Sequence, residues 1–134
     1  MALKAVPGSF SGAMKSLEYA ISKGAKVSSN SYGGKSTFSG FKNVLKNNPQ
    51  HIFVCTAGNK NTKLTSDWVY MPCATAAENV ICVGSSHKWN GRSGFSNYGA
   101  DYVHVMAPGS TIASTYYKSK TDYKYMSGTR YCIC

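Results

Sequence analysis

The sequence lacks any long hydrophobic run. No stretch of about 18 or more consecutive apolar residues occurs among its 134 residues, so it predicts no membrane-spanning helix. Its start, MALKAVPGSF, also lacks the roughly 7 to 15 apolar residues that a secretory signal peptide needs. We therefore expect no signal peptide and no membrane contact in this chain. An apolar share of 43% is nevertheless enough for a hydrophobic core.

Acidic residues are scarce, because 5 Asp and Glu stand against 15 Lys and Arg and give a formal net charge of +10. The electrostatic field of this positive charge favours acidic partners, and the ten tyrosines could stack on nucleic-acid bases. The basic residues are scattered, however, and 13 of the 15 are lysines, which suit bidentate phosphate contacts less well than arginine. We interpret the charge as a solvated basic surface and expect no specific nucleic-acid partner.

Cysteine pairs of the CxxC type are absent, and the five cysteines form an odd number. Their spacing excludes the zinc-finger and thioredoxin patterns, and no acidic cluster marks a metal-binding loop. Cys55 and Cys82 lie inside apolar runs, where we expect buried free thiols that behave as small hydrophobes. One disulfide among the five cysteines remains an open alternative.

The first part of the chain carries a strand pattern and then a helix pattern. ALKAV at residues 2–6 predicts a short buried strand, and the following PGS turn leads to Ser9 or Ser11 as a helix N-cap. Apolar residues then recur at spacings of three and four, which predicts a helix over residues 10–23. Gly24 is placed to tolerate the left-handed conformation that ends a helix.

The same order then repeats. A strand is predicted near residues 25–30, followed by a helix that Ser36 caps and Pro49 stops. HIFVCTA (51–57) and NVICVG (79–84) are apolar on both faces, which is typical of parallel strands buried between helices. Right-handed crossovers between such strands predict an α/β fold. The inward-facing residues of the second helix are Phe38, Phe41, Val44 and Leu45.

Helix patterns are absent after residue 84. YVHVMAPG (102–109) and TIAST (111–115) predict short strands among Gly and Ser loops. No internal repeat or low-complexity linker interrupts the chain. Residues 1–134 are therefore interpreted as one domain or part of one.

Two loops follow strands of the predicted sheet at its carboxyl edge, where open parallel sheets bind ligands. The first is SYGG (31–34), whose glycines allow another backbone to approach closely. The second is TAGN (56–59), which places a neutral amide just past a buried strand. Either loop alone is also explained as plain turn chemistry.

The ordered series SYGG, CTAGN, NVICVG, GFSNYGADYVHVMAPGSTIAST and YMSGT resembles the second half of the subtilisin-like serine proteases, and the resemblance runs from Leu3 to Thr129. It implies a three-layer fold with a mainly parallel sheet between helices, here incomplete. It also implies a role for each of the two loops. Ser31, Tyr32 and Gly33 match the segment that pairs with the substrate backbone and forms one wall of the pocket for the residue before the cleaved bond.

The TAGN loop matches the opposite side of that site. Ala57 and Gly58 match the facing wall of the pocket. Asn59 matches the asparagine of the oxyanion hole, whose side-chain N–H stabilises the charge on the attacked carbonyl oxygen. Asn59 is also explained as an ordinary turn residue.

Arg130 stands where the family's Gly-Thr-Ser-Met-Ala motif has its serine nucleophile, directly after Gly128 and Thr129. A guanidinium has no nucleophilic oxygen and cannot form an acyl-enzyme. The resemblance places the catalytic Asp and His in motifs that precede the matched part, and neither motif is present in this sequence.

Other residues do not replace the triad. The three histidines, His51, His87 and His104, lack the flanking glycine and threonine of the family's histidine motif. Cys132 and Cys134 follow the nucleophile position with no base to activate them. We therefore expect no catalytic base and no substitute nucleophile in the chain.

The resemblance thus implies a partial peptidase domain over residues 1–134 that begins inside the sheet and ends at the nucleophile position. We expect a chain that retains the substrate-binding and oxyanion segments of a serine endopeptidase but is inactive alone, and that is unstable or oligomeric because it exposes an apolar sheet edge. An incomplete gene model or a degenerate copy would each produce it, and the abrupt departure after Thr129 favours the former.

The alternative is a non-enzymatic module that binds an extended peptide by strand addition. Either function implies a peptide or protein as partner. Members of the family are commonly secreted or vesicular and can bind calcium, but this sequence marks neither an address nor a calcium site.

Overall fold

A computed structural model describes residues 2–3, 9–35, 39–75, 77–116 and 121–133. The strand predicted at residues 2–6 lies largely outside these residues, and so do the predicted cap Ser36 and the inward-facing Phe38. No helix in the described ranges is long and apolar enough to cross a bilayer.

The two predicted helices are present. Helix α1 spans Phe10–Ser22, and the Ser9 hydroxyl caps it by accepting the Gly12 N–H at 3.3 Å. The predicted end is confirmed, since Gly24 has φ +85°, a conformation that suits glycine. Helix α2 spans Ser39–Asn47. Its apolar face is buried through Phe41, Val44 and Leu45.

The predicted parallel sheet is confirmed. Its four strands are β1 Val27–Asn30, β3 Ile52–Thr56, β5 Val80–Ser86 and β6 Val105–Pro108. They pair in the order β1-β3-β5-β6, and every pairing among them is parallel. The register sets Asn30 beside Cys55 and Cys55 beside Cys82, so the carboxyl ends of β1 and β3 lie side by side and β5 continues past them.

Two short antiparallel ribbons and a final 3-10 helix complete the described architecture. Strand β2, Gly34–Lys35, pairs with β4, Tyr70–Met71. Strand β7, Ile112–Thr115, pairs with β8, Tyr123–Met126. The 3-10 helix at Thr129–Ile133 packs against the ends of β3 and β5.

The core lies between the helices and the parallel sheet. Phe41 of α2 meets Phe53 of β3 edge to face, with ring centroids 6.2 Å apart. The His51 ring packs on Phe53 at 4.5 Å and is almost fully buried. These contacts fix the sheet from which the functional loops project.

One prediction about the cysteines is wrong. Cys82 forms a disulfide with Cys73, with their Cα atoms 4.8 Å apart, so the open alternative of one disulfide is the correct one. The turn after β4 brings Cys73 beside β5, although the two cysteines are only nine positions apart, and the local apolar pattern does not reveal this pairing. The prediction for Cys55 is confirmed, because its thiol is free and buried. Burial raises the pKa of Cys55 to about 12 and leaves the thiol unreactive near neutral pH.

The two outer strands of the parallel sheet predict self-association. Within the described residues β1 and β6 each pair on one side, and Val27, Val105 and Met106 are 59%, 43% and 41% exposed. We expect sedimentation velocity to detect oligomers, and Val27→Lys with Val105→Lys to shift the population toward monomer, because charge blocks edge pairing. Tyr19→Lys, on the exposed face of α1, is the matched control and should change nothing. A monomeric unmodified chain with one sharp calorimetric transition would contradict this prediction.

Candidate functional site

The two predicted loops meet at the carboxyl edge of the sheet. Residues 31–33 follow β1 and residues 57–59 follow β3, and these strands are neighbours in parallel register. The 3-10 helix closes the same edge, because the Ser29 hydroxyl donates to the Ile133 carbonyl at 2.9 Å and the Ser31 hydroxyl to the Arg130 carbonyl at 3.3 Å. The sheet therefore brings together segments that are about 100 positions apart in sequence.

The Thr129 hydroxyl is the centre of a buried hydrogen-bond network. It accepts hydrogen bonds from the Thr56 hydroxyl and from the Gly58 N–H, the latter at 3.2 Å. It donates to Asn59 Oδ1 at 2.8 Å, and the Thr129 N–H donates to the same oxygen at 2.9 Å. Thr129 is only 1% exposed and its bonds with Thr56 and Gly58 are buried, whereas its two bonds to the exposed Asn59 side chain are part-buried.

This network orients the Asn59 amide. Its oxygen accepts two hydrogen bonds from Thr129, so the Nδ2 group, in the same plane, is directed away from those two donors. Asn59 Nδ2 lies 3.4 Å from the point that a Cβ on Gly128 would occupy, and Asn59 is solvent-exposed. The arrangement presents an oriented N–H donor close to Gly128, two positions before Arg130.

Asn97 holds the TAGN loop in place through hydrogen bonds. Its buried side chain donates from Nδ2 to the Ala57 carbonyl at 2.8 Å and accepts the N–H groups of Lys60 and Thr62 at 2.9 and 3.1 Å. Its backbone N–H donates to the Gly58 carbonyl at 2.9 Å. Sequence reasoning noted the GFSNYG motif but missed this role, which the buried polar residue in that motif could have suggested.

Tyr32 faces the helix side of its loop. Its hydroxyl donates to Asn30 Oδ1 at 2.9 Å, and its ring meets Phe10 of α1 edge to face, 6.4 Å between centroids. Burial is the largest cause that raises the pKa of the Tyr32 hydroxyl. The hydroxyl is therefore bonded within the protein and the ring packs on α1, so it is the backbone of Tyr32 that lies along the sheet edge.

A second tyrosine, which sequence reasoning missed, also lies at this edge. Tyr70 belongs to β4, and its ring contacts the backbone of both Gly33 and Gly58. No local signal distinguishes it among ten tyrosines, because only the β2–β4 pairing brings it there.

The histidines have structural roles. His51 is buried, with Nδ1 and Nε2 each 2.9 Å from partners in Ala25 and Ser28. His104 Nδ1 accepts the Cys82 N–H at 2.9 Å, and His87 Nδ1 accepts the Trp89 N–H at 3.2 Å. Across the described ranges no three His, Cys, Asp or Glu side chains gather as a metal site.

Comparison with known proteins assigns this architecture. A model of the subtilase family matches residues 3–130. Thermitase from Thermoactinomyces vulgaris is 35% identical over 124 residues, which are 91% of this chain and 41% of thermitase. A subtilisin-like serine protease from Rhodotorula mucilaginosa, Rho m 2.0101, is 40% identical over 77 residues, covering 58% of this chain and 21% of that protein.

Solved structures agree in fold. A cold adapted subtilisin-like serine proteinase superposes with a TM-score of 0.78 at 28% identity, covering 94% of this chain and 44% of that one. The prenylagaramide maturation protease PagA gives a TM-score of 0.79 at 19% identity, over 99% of this chain and 48% of its own, a likeness of fold. The chain thus spans less than half the length of these relatives. The family match over residues 3–130, together with the subtilisin-like α/β architecture, shows that the chain belongs to the subtilase family of serine proteases.

Proposed function

We propose that this chain supplies the substrate-binding edge and half of the oxyanion hole of a subtilisin-type serine endopeptidase. The observation that carries the proposal is the pair of hydrogen bonds from Thr129 to Asn59 Oδ1, at 2.9 and 2.8 Å. They hold the amide with its N–H pair free to meet a developing oxyanion.

Fixing the donor before the reaction is what gives it catalytic value. A flexible amide would have to be ordered in the transition state, whereas an amide held by a buried threonine needs no reorganisation. The Asn59 oxygen accepts from both the N–H and the hydroxyl of Thr129, so rotating the amide would break both bonds together. The amide N–H is thereby aimed toward the site that the family uses for the attacked carbonyl.

The substrate backbone would lie along residues 31–33. This segment connects β1 to β2 without belonging to either strand, and Ser31 is exposed. An extended peptide can add to such an edge through main-chain hydrogen bonds. Ala57 and Gly58 form the facing side, held at their positions by Asn97.

Arg130 favours a second candidate, peptide binding without turnover. It is exposed, follows Thr129 directly and occupies the position of the family's nucleophile. The side chain cannot attack a carbonyl, whereas the edge and the oriented amide do not depend on it. The second candidate therefore uses the same binding residues and differs only in the chemical step.

We predict that the purified chain hydrolyses no peptide between pH 5 and pH 10, because Arg130 replaces the nucleophile and no matching Asp or His is present. Mass spectrometry after treatment with a fluorophosphonate probe should find no adduct. Arg130→Ser alone should also stay unlabelled, since no base activates the new hydroxyl. Stoichiometric labelling of the unmodified chain would contradict the assignment of the nucleophile position.

The Asn59 assignment is testable in a repaired enzyme. A chimera joins the family's upstream Asp and His segment to residue 1 and replaces Arg130 and the tail by Ser-Met-Ala and its helix. In it, Asn59→Ala should lower kcat by about 10²–10³ with little change in KM, a magnitude established for this donor in subtilisin itself. Asn43→Ala, an exposed amide on α2, is the matched control. An active chimera in which Asn59→Ala is silent would overturn the role of Asn59.

Thr129 should act through Asn59. In the same chimera, Thr129→Val removes the hydroxyl that donates to Asn59 Oδ1 and leaves the Gly58 N–H without its acceptor. We expect kcat to fall by about tenfold and the melting temperature to drop, because a buried unpaired group costs about 1–3 kcal/mol. Thr129→Ser keeps the hydroxyl and should retain most of kcat. Equal kcat values for the valine and serine variants would show that the hydroxyl does not position the amide.

A further inference from the structure

The ring of Tyr70 occupies the space between the two glycines of the functional loops. A Cβ placed on Gly33 would lie 2.4 Å from Tyr70 Cε1, and a Cβ placed on Gly58 would lie 2.9 Å from Cε2 and 2.8 Å from Cζ. The two edges of one aromatic ring therefore contact the two loop backbones. We call this space, bounded by the backbones of Gly33 and Gly58, the glycine slot.

The backbone on both sides has no room for a side chain. A Cβ on Gly33 would also approach the Met71 carbonyl oxygen at 2.8 Å, and one on Gly58 would approach Asn97 Nδ2 at 2.6 Å. Gly58 in addition has φ +96°, which L side chains rarely adopt. Glycine at both positions is thus required for the ring to fit between the loops.

The Tyr70 ring is held by several contacts. The β2–β4 ribbon pairs Lys35 with Tyr70, and the Tyr70 carbonyl accepts the Ala74 N–H at 2.9 Å. The Trp68 ring stacks parallel to that of Tyr70, with centroids 6.5 Å apart and planes 11° apart. The ring also packs against the hydrophobic core. These contacts hold the Tyr70 ring in the glycine slot.

The hydroxyl end of the ring lies beside the TAGN loop. Tyr70 Cζ is 2.8 Å from the point that a Cβ on Gly58 would occupy, and the Gly58 N–H donates to the Thr129 hydroxyl at 3.2 Å. The ring therefore extends from the β4 ribbon toward the segment that carries Thr129. Burial is the largest cause that raises the pKa of the Tyr70 hydroxyl.

We infer that Tyr70 determines specificity by filling the glycine slot, so that the site accepts only glycine or alanine at the residue before the scissile bond. This inference rests on the proposed function, because it assumes that a peptide lies along residues 31–33. A leucine or phenylalanine side chain would have to displace a packed ring or remain in solvent. Discrimination in apolar pockets amounts to about 10- to 200-fold for such differences in size.

The first experiment measures peptide binding by the whole 134-residue chain. Fluorescein-labelled Ala-Ala-Ala-X amides, with X as Gly, Ala, Leu or Phe, are titrated by fluorescence anisotropy. We expect the unmodified chain to bind X = Gly or Ala at least about tenfold more tightly than X = Phe. Tyr70→Ala should bind X = Phe about tenfold more tightly than the unmodified chain, while Tyr70→Phe, which keeps the ring, should not.

The second experiment examines the slot without any peptide. p-Cresol, the free analogue of the tyrosine side chain, should raise the melting temperature of Tyr70→Ala by about 2 °C or more, because it binds in the opened slot. The unmodified chain and Tyr123→Ala, which removes a tyrosine that is 75% exposed on β8, should show no rise.

The outcomes distinguish the role of Tyr70 in the glycine slot from the proposed peptide-binding edge. Equal affinity of the unmodified chain for X = Phe and X = Ala overturns the specificity role, and it can be measured even where Tyr70→Ala fails to fold. Peptide binding with the expected preference, but no p-cresol effect in a folded Tyr70→Ala, overturns the filled slot. p-Cresol binding without any peptide binding supports the filled slot and instead contradicts the proposed peptide edge.

Discussion

The hydroxyl group of Thr129 is the interaction on which the functional edge of this protein depends. It joins the end of β3, through Thr56 and Gly58, to the Asn59 side chain and to the 3-10 helix. These bonds connect positions 70 or more residues apart, and those with Thr56 and Gly58 are buried. Because a buried hydroxyl without partners is costly, the network has one favourable arrangement, and the Asn59 amide has one favourable orientation.

The peptide side of the edge depends on backbone shape. Gly33 and Gly58 leave a gap between two loops that neighbouring parallel strands bring together, and the β2–β4 ribbon inserts the Tyr70 ring into it. Asn97 keeps the second loop in place by satisfying the Ala57 carbonyl and the Lys60 N–H. The proposed binding geometry thus depends on the Asn59 and Asn97 amides and on one aromatic ring.

The substitution at Arg130 affects the proposed acyl-transfer step and not the proposed peptide binding. The groups proposed to hold a peptide and an oxyanion are backbone, amide and hydroxyl groups that make their contacts without a nucleophile. Under the proposed function, arginine at the position of the serine prevents covalent catalysis, whereas the Asn59–Thr129 network does not involve the Arg130 side chain. Such a chain would allow binding at the edge to be studied apart from acyl transfer.

The sequence by itself determined the two helices, the parallel sheet and the family. Ser9, Gly24 and the apolar spacing of α1 are local signals, and strands that are apolar on both faces indicate a parallel sheet whose loops share one edge. Only the tertiary structure decided that β2 pairs with β4, that Cys82 pairs with Cys73, that Thr129 contacts Asn59 and that the Tyr70 ring lies between Gly33 and Gly58. These features depend on which side chains meet in space, and a tyrosine or cysteine carries no local mark of its eventual neighbour. Periodicity fixes which face of an element is buried, whereas packing fixes the contacts made there.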